Sequence, residues 1–233
     1  MSKRTQPIVA IDGPAGAGKS TAARRLALYL RFTHIDSGAL YRGIAFNAMV
    51  HEQDPANGIG LAMLARRSRM EFRGPHLYID EVDRSRHIRD PKISRLVPTV
   101  AAHREVREAV DQLIREMGTL GGVVVDGRDI GTNVFPDAEV KVFLTASLEK
   151  RAERHHYDLR VRGTVMNLDQ VVEDLRKRDH EDMTRAVSPL KKADDADVLD
   201  TTNLDPDEVL AALIRLVRQG SPTSQIRIPT PRP

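Results

Sequence analysis

Short apolar runs alternate with longer amphipathic segments along most of the chain. Residues 8–11 predict a buried strand, and residues 19–30 predict a helix because Ala and Leu recur at helical spacing. A weaker strand at residues 32–36 precedes a helical segment at residues 38–50. This alternation, with strands that are apolar on both faces, predicts an α/β fold with a parallel sheet covered by helices on both sides.

The pattern changes between residue 61 and about residue 89, where "MEFRGPHLYIDEVD" alternates like antiparallel strands around a Gly-Pro turn. This segment is a candidate insert. Helical periodicity then returns, with Asp90 as a candidate cap, Pro91 in the first turn and Gly118 near the end. We therefore expect a small antiparallel unit and a helical stretch between two parts of the α/β core.

The second half of the chain returns to strands and helices. "GGVVVDGRD" and "AEVKVFLTA" predict two buried strands, and Ser147 is placed to cap a charged helix through about Leu159. "DADVLDTTNLDPDEVLAALIRLV" predicts a last strand, a loop and a helix. The Pro- and Ser-rich tail at residues 221–233 is predicted to be disordered.

Composition narrows the class of protein. The chain has 233 residues, 40% hydrophobic and 30% charged, which suits one α/β domain with small inserts. With 36 basic and 33 acidic residues, the net charge of +3 does not require a nucleic-acid partner. No apolar run reaches the length of a membrane span, and the absence of Cys excludes disulfides and thiolate metal sites. We expect a cytoplasmic monomer that binds neither nucleic acid nor membranes.

A glycine-rich turn joins the first strand to the first helix. "GPAGAGKS", from Gly13 to Ser20, fits the pattern G-x-x-x-x-G-K-[ST] in the strand–turn–helix context that the motif requires. Glycines let backbone N–H groups converge on an anion, and the helix N-terminus adds partial positive charge. Lys19 can reach the outer phosphates of a nucleotide, and Ser20 can bind Mg²⁺. The turn therefore predicts a phosphate-donor site, with a ligand-free glycine turn as the weaker alternative.

This loop alone fits switches, motors and kinases. A guanine-specific switch usually carries [NT]-K-x-D, and no Asn or Thr in this chain is followed by Lys. A small kinase needs an acceptor pocket, bridging arginines and a closing lid. Candidates for the acceptor pocket follow predicted strands, where ligands bind in parallel sheets. They are Asp36, Ser37, Tyr41, Arg42, Asp126, Arg128 and Asp129.

Basic side chains are dense after residue 147, and most of them fit a solvated helical face. Arg178, Asp182 and Arg185 differ, since their spacing of i, i+4 and i+7 puts them on one face just before "AVSPL" ends the helix. These three residues are candidates for a lid over the phosphates.

Five blocks, in order and over nearly all of residues 8–218, resemble the bacterial cytidylate kinase family. They are "IDGPAGAGKST", "IDSGALYRG", "VAAHREVREAV", "VVVDGRDIGTNVFPDAEVKVFLTAS" and "RDHEDMTRAVSPLKKADDADVLDTT". The resemblance implies ATP-dependent phosphorylation of CMP and dCMP, with Mg²⁺ as cofactor. It also implies a P-loop kinase core at about 7–60 and 119–220, a nucleoside-monophosphate-binding insert at about 61–118, and a short helical lid at about 155–187.

The resemblance also implies roles for single residues. The ATP-binding loop would consist of Gly13, Pro14, Ala15, Gly16, Ala17, Gly18, Lys19, Ser20 and Thr21. The CMP-binding set would consist of Ser37, Arg42, Arg107, Arg128, Asp129, Arg178 and Asp182. Within that set, Arg107 and Asp129 would read cytosine. The catalytic set would be Lys19, Arg128 and Arg185, and Arg185 would bridge the phosphates at transfer.

One position departs from the family pattern. The family usually has a serine that contacts cytosine where this chain has Pro98, and a proline side chain donates no hydrogen bond. The alternatives are a kinase for another small acceptor, such as a different nucleotide or a sugar acid, and a nucleotide-binding regulatory module without catalysis. The set Lys19, Arg128 and Arg185 argues against the second alternative.

Overall fold

The computed structural model describes residues 4–161 and 163–220, so the tail predicted to be disordered lies outside the described residues. The strands are β1 (Ile8–Asp12), β2 (Thr33–Asp36), β3 (Met70–Arg73), β4 (His76–Ile79), β5 (Val82–Asp83), β6 (Val123–Asp126), β7 (Val140–Thr145) and β8 (Asp197–Asp200). The helices are α1 (Lys19–Leu30), α2 (Ser37–Val50), α3 (Gly58–Arg67), α4 (Pro91–Ala102), α5 (Arg104–Met117), α6 (Leu148–Val161), α7 (Leu168–Thr184) and α8 (Pro206–Gly220). A 3₁₀ turn at His87–Arg89 and a π-helical turn at Ile130–Val134 accompany them.

The main sheet has the strand order β2-β6-β1-β7-β8, and its neighbouring strands run parallel. Ile8 and Ala10 of the central strand belong to one apolar cluster, which also contains residues of α2, α3 and α5. Val9 and Ile11 belong to a second cluster, with residues of α1 and α8. Both faces of β1 are therefore covered, which explains its uninterrupted apolar sequence. The predicted α/β fold with a parallel sheet is confirmed.

A second sheet has three antiparallel strands in the order β3-β4-β5. Arg73 pairs with His76 across the Gly-Pro turn, as the alternating pattern predicts. This sheet packs closely on α2, since a Cβ atom at Gly43 would lie 3.2 Å from the side chains of Leu77 and Ile79. The boundaries proposed for core, insert and lid remain predictions.

Two features of the helical part differ from the sequence pattern. Helix α3 occupies the start of the segment in which strands were expected; Asn57 caps it by accepting a hydrogen bond from Gly60 N–H at 2.9 Å. The stretch between Asp90 and Gly118 forms two helices, because His103 adopts an extended conformation between α4 and α5. The predicted caps are confirmed: Asp90 accepts a hydrogen bond from Lys92 N–H at 2.7 Å, and Ser147 accepts one from Lys150 N–H at 3.2 Å. None of the described helices is long and apolar enough to cross a membrane.

The carboxyl ends of the parallel strands lie at one edge of the sheet. Asp36 of β2 is in register with Asp126 of β6, and Ile11 of β1 is in register with the same residue. The glycine-rich loop that follows Asp12 leaves the sheet at this edge. The sequence prediction that the charged strand ends gather there is confirmed.

Candidate active site

The loop at residues 13–21 leads from β1 into α1. A Cβ atom at Gly13 would lie 2.0 Å from the carbonyl oxygen of Leu144 on β7, so only glycine allows this approach to the sheet. Gly16 and Gly18 have φ angles of 73° and 93°, and Gly18 is the N-cap of α1. These left-handed conformations are the type that directs successive backbone N–H groups toward an anion.

Lys19 folds back over this loop. Its side chain is buried, with 6% of the residue exposed, and Nζ donates a hydrogen bond to the carbonyl of Pro14 at 2.7 Å. Burial lowers the pKa of Lys19, and the nearby positive charge of Arg128 lowers it further. A phosphate anion beside this ammonium would oppose both effects, so the arrangement favours an anionic ligand.

Ser20 is joined to the end of β6. Its hydroxyl donates to Asp126 Oδ2 at 2.6 Å, and His34 Nε2 lies 2.7 Å from Asp126 Oδ1. Burial opposes ionisation of Asp126, but the hydrogen bonds from His34 and Ser20 outweigh it, so the pKa of Asp126 is lowered. The hydroxyl and the carboxylate are hard oxygen donors of the kind that Mg²⁺ prefers. Sequence reasoning included Asp126 and missed His34.

Helices α6 and α7 hold the loop at Ala15. The backbone N–H of Ala15 donates to Asp179 Oδ1 at 3.0 Å, and Arg151 donates to the carbonyl of Ala15 at 2.9 Å. Arg151 and Asp179 also form an ion pair, and they are only 8% and 5% exposed. Because the N–H of Ala15 already donates to Asp179, this group is not free to bind a ligand, and the contacts of Ala15 fix the conformation of the loop. The interpretation of the basic residues after residue 147 as a largely solvated face does not hold for Arg151.

A cluster of charged residues lies beside the loop. Arg128 Nε donates to Asp182 Oδ2 at 2.6 Å, and Arg185 donates to the other oxygen of Asp182 at 3.2 Å. Burial opposes ionisation of Asp182, yet these arginines lower its pKa. Arg178 is exposed, yet desolvation by the surrounding protein and the like charge of Arg128 lower its pKa. The same two arginines, Arg128 and Arg178, act on the charge of Lys19, so the predicted catalytic and lid residues face one region.

Asp129 is the second anionic centre of the cluster. Its Oδ1 accepts hydrogen bonds from Arg107 at 3.0 Å and from Arg185 at 3.3 Å. Asn133, which sequence reasoning missed, donates to Oδ2 at 3.2 Å. Arg107 is only 3% exposed, and its Nε has no hydrogen-bond partner among the described residues. The two residues predicted to read a base, Arg107 and Asp129, are therefore in direct contact.

The N-terminus of α2 contributes two further predicted residues. Ser37 Oγ donates to the carbonyl of Asp126 at 2.8 Å, and Arg42 donates to Asp36 Oδ2 at 3.0 Å. The Nε atom of Arg42 is buried and, like that of Arg107, has no hydrogen-bond partner within residues 4–161 and 163–220. Pro98, in contrast, is exposed within α4.

A cavity of about 380 Å³ opens beside Arg107. Its lining combines charged and polar side chains of α5 and the π-helical turn with the segment that follows α7. The lining residues are Arg104, Arg107, Glu108, Asp111, Asn133, Ala186, Val187 and Ser188. The cavity volume lies in the range usual for small-ligand sites.

Comparison with known proteins agrees with this arrangement. The family model described as cytidylate kinase matches residues 9–219. A cytidylate kinase of Shouchella clausii is 44% identical over 217 residues, covering 91% of this chain and 96% of that protein. A cytidylate kinase of Bacillus cereus is 44% identical over 221 residues, covering 93% of this chain and 97% of that protein.

Similarity to solved structures concerns the fold. An uncharacterized protein from Eubacterium ventriosum superposes with a TM-score of 0.51 at 14% identity, over 91% of this chain and 98% of that one. At this identity the superposition supports the fold alone. The family model covers residues 9–219, which include the loop and the charged cluster, and the relatives cover more than 90% of this chain. The chain belongs to the cytidylate kinase family.

Proposed function

We propose that the chain transfers the γ-phosphoryl group of ATP to CMP and dCMP, with Mg²⁺ as cofactor. Family membership supports the reaction. The acceptor site rests on two buried guanidinium nitrogens that have no hydrogen-bond partner in the described part of the chain, Nε of Arg42 and Nε of Arg107. Buried polar atoms are normally hydrogen-bonded, so oxygen or nitrogen acceptors of a substrate would complete both groups. We also propose that the protein acts as a monomer, with every residue of the site supplied by one chain.

The donor side is formed by residues 13–21. Lys19 would hold the outer phosphates, and the glycine conformations would let backbone N–H groups cradle them. Ser20, with Asp126 behind it, would hold Mg²⁺, which neutralises negative charge on the phosphates when bound. Within the described residues no three His, Cys, Asp or Glu side chains cluster as metal ligands. Phosphate oxygens of the nucleotide would therefore supply further ligands.

The acceptor side is formed by the arginine cluster and Asp129. Arg42, Arg128 and Arg178 would bind the phosphate of CMP, since guanidinium groups match phosphate geometry. Asp129 would accept a hydrogen bond from the 4-amino group of cytosine, and Arg107 would donate to the ring. An ionised carboxylate accepts only, so the 4-oxo group of uracil would meet it unfavourably.

Transfer itself requires positioning and charge stabilisation more than covalent help from the protein. The attacking oxygen of the CMP phosphate is already anionic near neutral pH, so a general base is not required. Arg185 contacts both Asp129 and Asp182, which supports a position for its charge between the groups proposed to read the base and to bind phosphate. From there it would stabilise the charge that spreads over the transferred group. We propose that the insert and the lid close over both nucleotides and exclude water.

The proposal is tested by incubating the protein with Mg·ATP and a panel of acceptors: CMP, dCMP, UMP, AMP, GMP and a sugar acid. Diphosphate formation is followed by chromatography. We expect CDP and dCDP to form fastest. A higher rate with AMP or with the sugar acid would assign the site to another acceptor, and ATP binding without transfer to any acceptor would indicate a regulatory module.

A further inference from the structure

Helix α5 presents a row of polar side chains to the turn that follows β6. Arg107, Asp111 and Arg115 are spaced four residues apart, which puts them on one helical face. Arg107 donates to Asp129 at 3.0 Å, Asp111 accepts from Asn133 at 2.6 Å, and Arg115 donates to the carbonyl of Asn133 at 3.0 Å. Three successive turns of α5 therefore hold Asp129 and Asn133, which lies four residues beyond it.

Asn133 lies at the centre of the contact between α5 and the π-helical turn. Its Nδ2 atom donates to Asp111 Oδ2 at 2.6 Å and to Asp129 Oδ2 at 3.2 Å. Both carboxylates are buried. A carboxylate accepts hydrogen bonds, and the two hydrogens of an amide nitrogen can serve two acceptors, so the amide is oriented by its neighbours. Asn133 thus bridges two buried carboxylates through one nitrogen atom.

The bridge also holds two like charges in place. Burial raises the pKa of Asp111, and the negative charge of Asp129 raises it further. Oδ1 of Asp129 accepts from Arg107 and Arg185, whereas Oδ2 accepts from Asn133. Without the amide of Asn133, the contact to Oδ2 is lost and the two arginines alone orient the carboxylate. The direction in which Asp129 presents its oxygens to a base would then no longer be fixed.

We propose that Asn133, held by Asp111, is a specificity-determining positioning residue that fixes the carboxylate of Asp129 as the acceptor for the 4-amino group of cytosine. The inference rests on the proposed function, because Asp129 reads the base in that function. Pro98 adds weight to the contact, since its exposed side chain on α4 donates nothing to a base. Discrimination between cytosine and uracil then depends on Asp129 and on the groups that orient it.

The test compares kcat/KM for CMP and for UMP in the wild type and in Asn133→Leu, at saturating Mg·ATP. We expect the CMP/UMP ratio to fall at least about fivefold in the variant, within the range of one lost base contact. The KM for ATP should stay unchanged, because the contact lies on the acceptor side. Gln112→Leu is the matched control: this exposed amide on the same helix bonds only Glu116 at 2.8 Å, and its loss should leave the ratio unchanged.

The variant Asp111→Leu tests the other side of the contact. It removes the acceptor that holds the amide of Asn133, so the CMP/UMP ratio should fall in the same direction as in Asn133→Leu. A wild-type ratio in Asp111→Leu would overturn the role assigned to Asp111. If Asn133→Leu does not fold, Asn133→Thr must lower the ratio in the same direction, because one hydroxyl hydrogen can serve only one carboxylate.

The possible failures are distinguishable. A wild type that phosphorylates CMP preferentially, with an unchanged ratio in Asn133→Leu, overturns this inference and leaves the proposed function standing. A wild type without preference for CMP overturns the proposed function itself.

Discussion

The carboxylate of Asp179 accepts a hydrogen bond from the backbone N–H of Ala15 at 3.0 Å, which joins α7 to the donor loop. Arg151 completes the joint by pairing with Asp179 and donating to the carbonyl of Ala15 at 2.9 Å. Both backbone polar groups of one loop residue are thus held by two helices. Because α7 also carries Arg178 and Asp182, one helix positions both the donor loop and the acceptor cluster.

Asp179→Asn is expected to weaken both the fold and ATP binding. The substitution leaves the charge of Arg151 buried without a counter-ion, which costs about 3 kcal/mol or more of unfolding free energy. The KM for ATP should rise as well, since the glycine-rich loop depends on the contact between Ala15 and Asp179 for its conformation. Denaturant unfolding and ATP kinetics check this. Glu173→Gln is the control, because its ion pair with Arg176 is exposed and worth less than about 1 kcal/mol; equal small effects of both variants would contradict the assignment.

Lys19→Met should abolish phosphoryl transfer without destabilising the protein. The ammonium is buried and its pKa is lowered by burial, so the free protein loses little when the charge is removed. We expect a loss of kcat of at least ~10³, since the proposed role of the lysine is to neutralise the outer phosphates. The melting temperature of the nucleotide-free variant should equal or exceed that of the wild type. Near-normal turnover would remove Lys19 from the donor site.

Arg185→Ala should lower kcat by at least ~10³ and change nucleotide binding much less. The reason is that a bridging guanidinium acts mainly on charge that develops in the transition state. Arg185→Lys should recover only part of the rate, because an ammonium cannot contact Asp129 and Asp182 with the same planar fork. Steady-state measurements of kcat and KM for CMP distinguish a role in transfer from a role in binding. A normal kcat with a raised KM for CMP would make Arg185 a binding residue.

Asp129→Asn should reduce the preference for CMP over UMP. An amide can donate to the 4-oxo group of uracil where the carboxylate could only accept. One such contact is worth roughly 1–3 kcal/mol, or about 5- to 150-fold in kcat/KM. The same ratio measured before and after the substitution is the test, with unfolding measured in parallel because Arg107 loses its counter-ion. An unchanged ratio would mean that another residue reads the base.

Asp12 should make stability depend on pH. It accepts hydrogen bonds from Ile130 N–H at 2.9 Å and Gly131 N–H at 2.7 Å, yet burial raises its pKa to about 6 from 3.8. Because the folded-state pKa is the higher one, the stabilisation is complete below pH 3.8 and is lost as the pH rises to about 6. Relative to Asp12→Asn, the unfolding free energy of the wild type should fall over this range by up to about 3 kcal/mol. A parallel pH dependence of both proteins would contradict the shift.

Local patterns were sufficient to predict the main sheet and the glycine-rich turn. The central strands β1 and β6 are buried on both faces, so their sequences are apolar up to their final aspartates, and the turn combines glycines with a lysine at a fixed spacing. Arg178, Asp182 and Arg185 remain predicted site residues; their spacing indicated one helical face, and Arg185 is the C-cap of α7. The residues predicted to read a base and bind phosphate remain predictions, although the structure brings Arg107 and Asp129 into contact.

Other residues could not be found in this way because their environment is created by distant parts of the chain. Arg151 resembles the solvated arginines around it in sequence, and its contacts with Ala15, 136 positions away, and with Asp179 bury it. His34 stands in a short strand and contacts Asp126, 92 positions away. Helix α3 was missed because Gly58 and Gly60 weaken the helical pattern of its first turn.

The central place of β1 in the sheet has a consequence for how the chain is made. Ile8 pairs with Val123 and Val9 pairs with Val140, so the first strand to be synthesised has no partner until more than half of the chain has been added. Contacts of such long sequence separation form slowly. A ribosome therefore presents a largely apolar strand for more than half of translation, and the growing chain is expected to depend on chaperones until β6 and β7 have emerged.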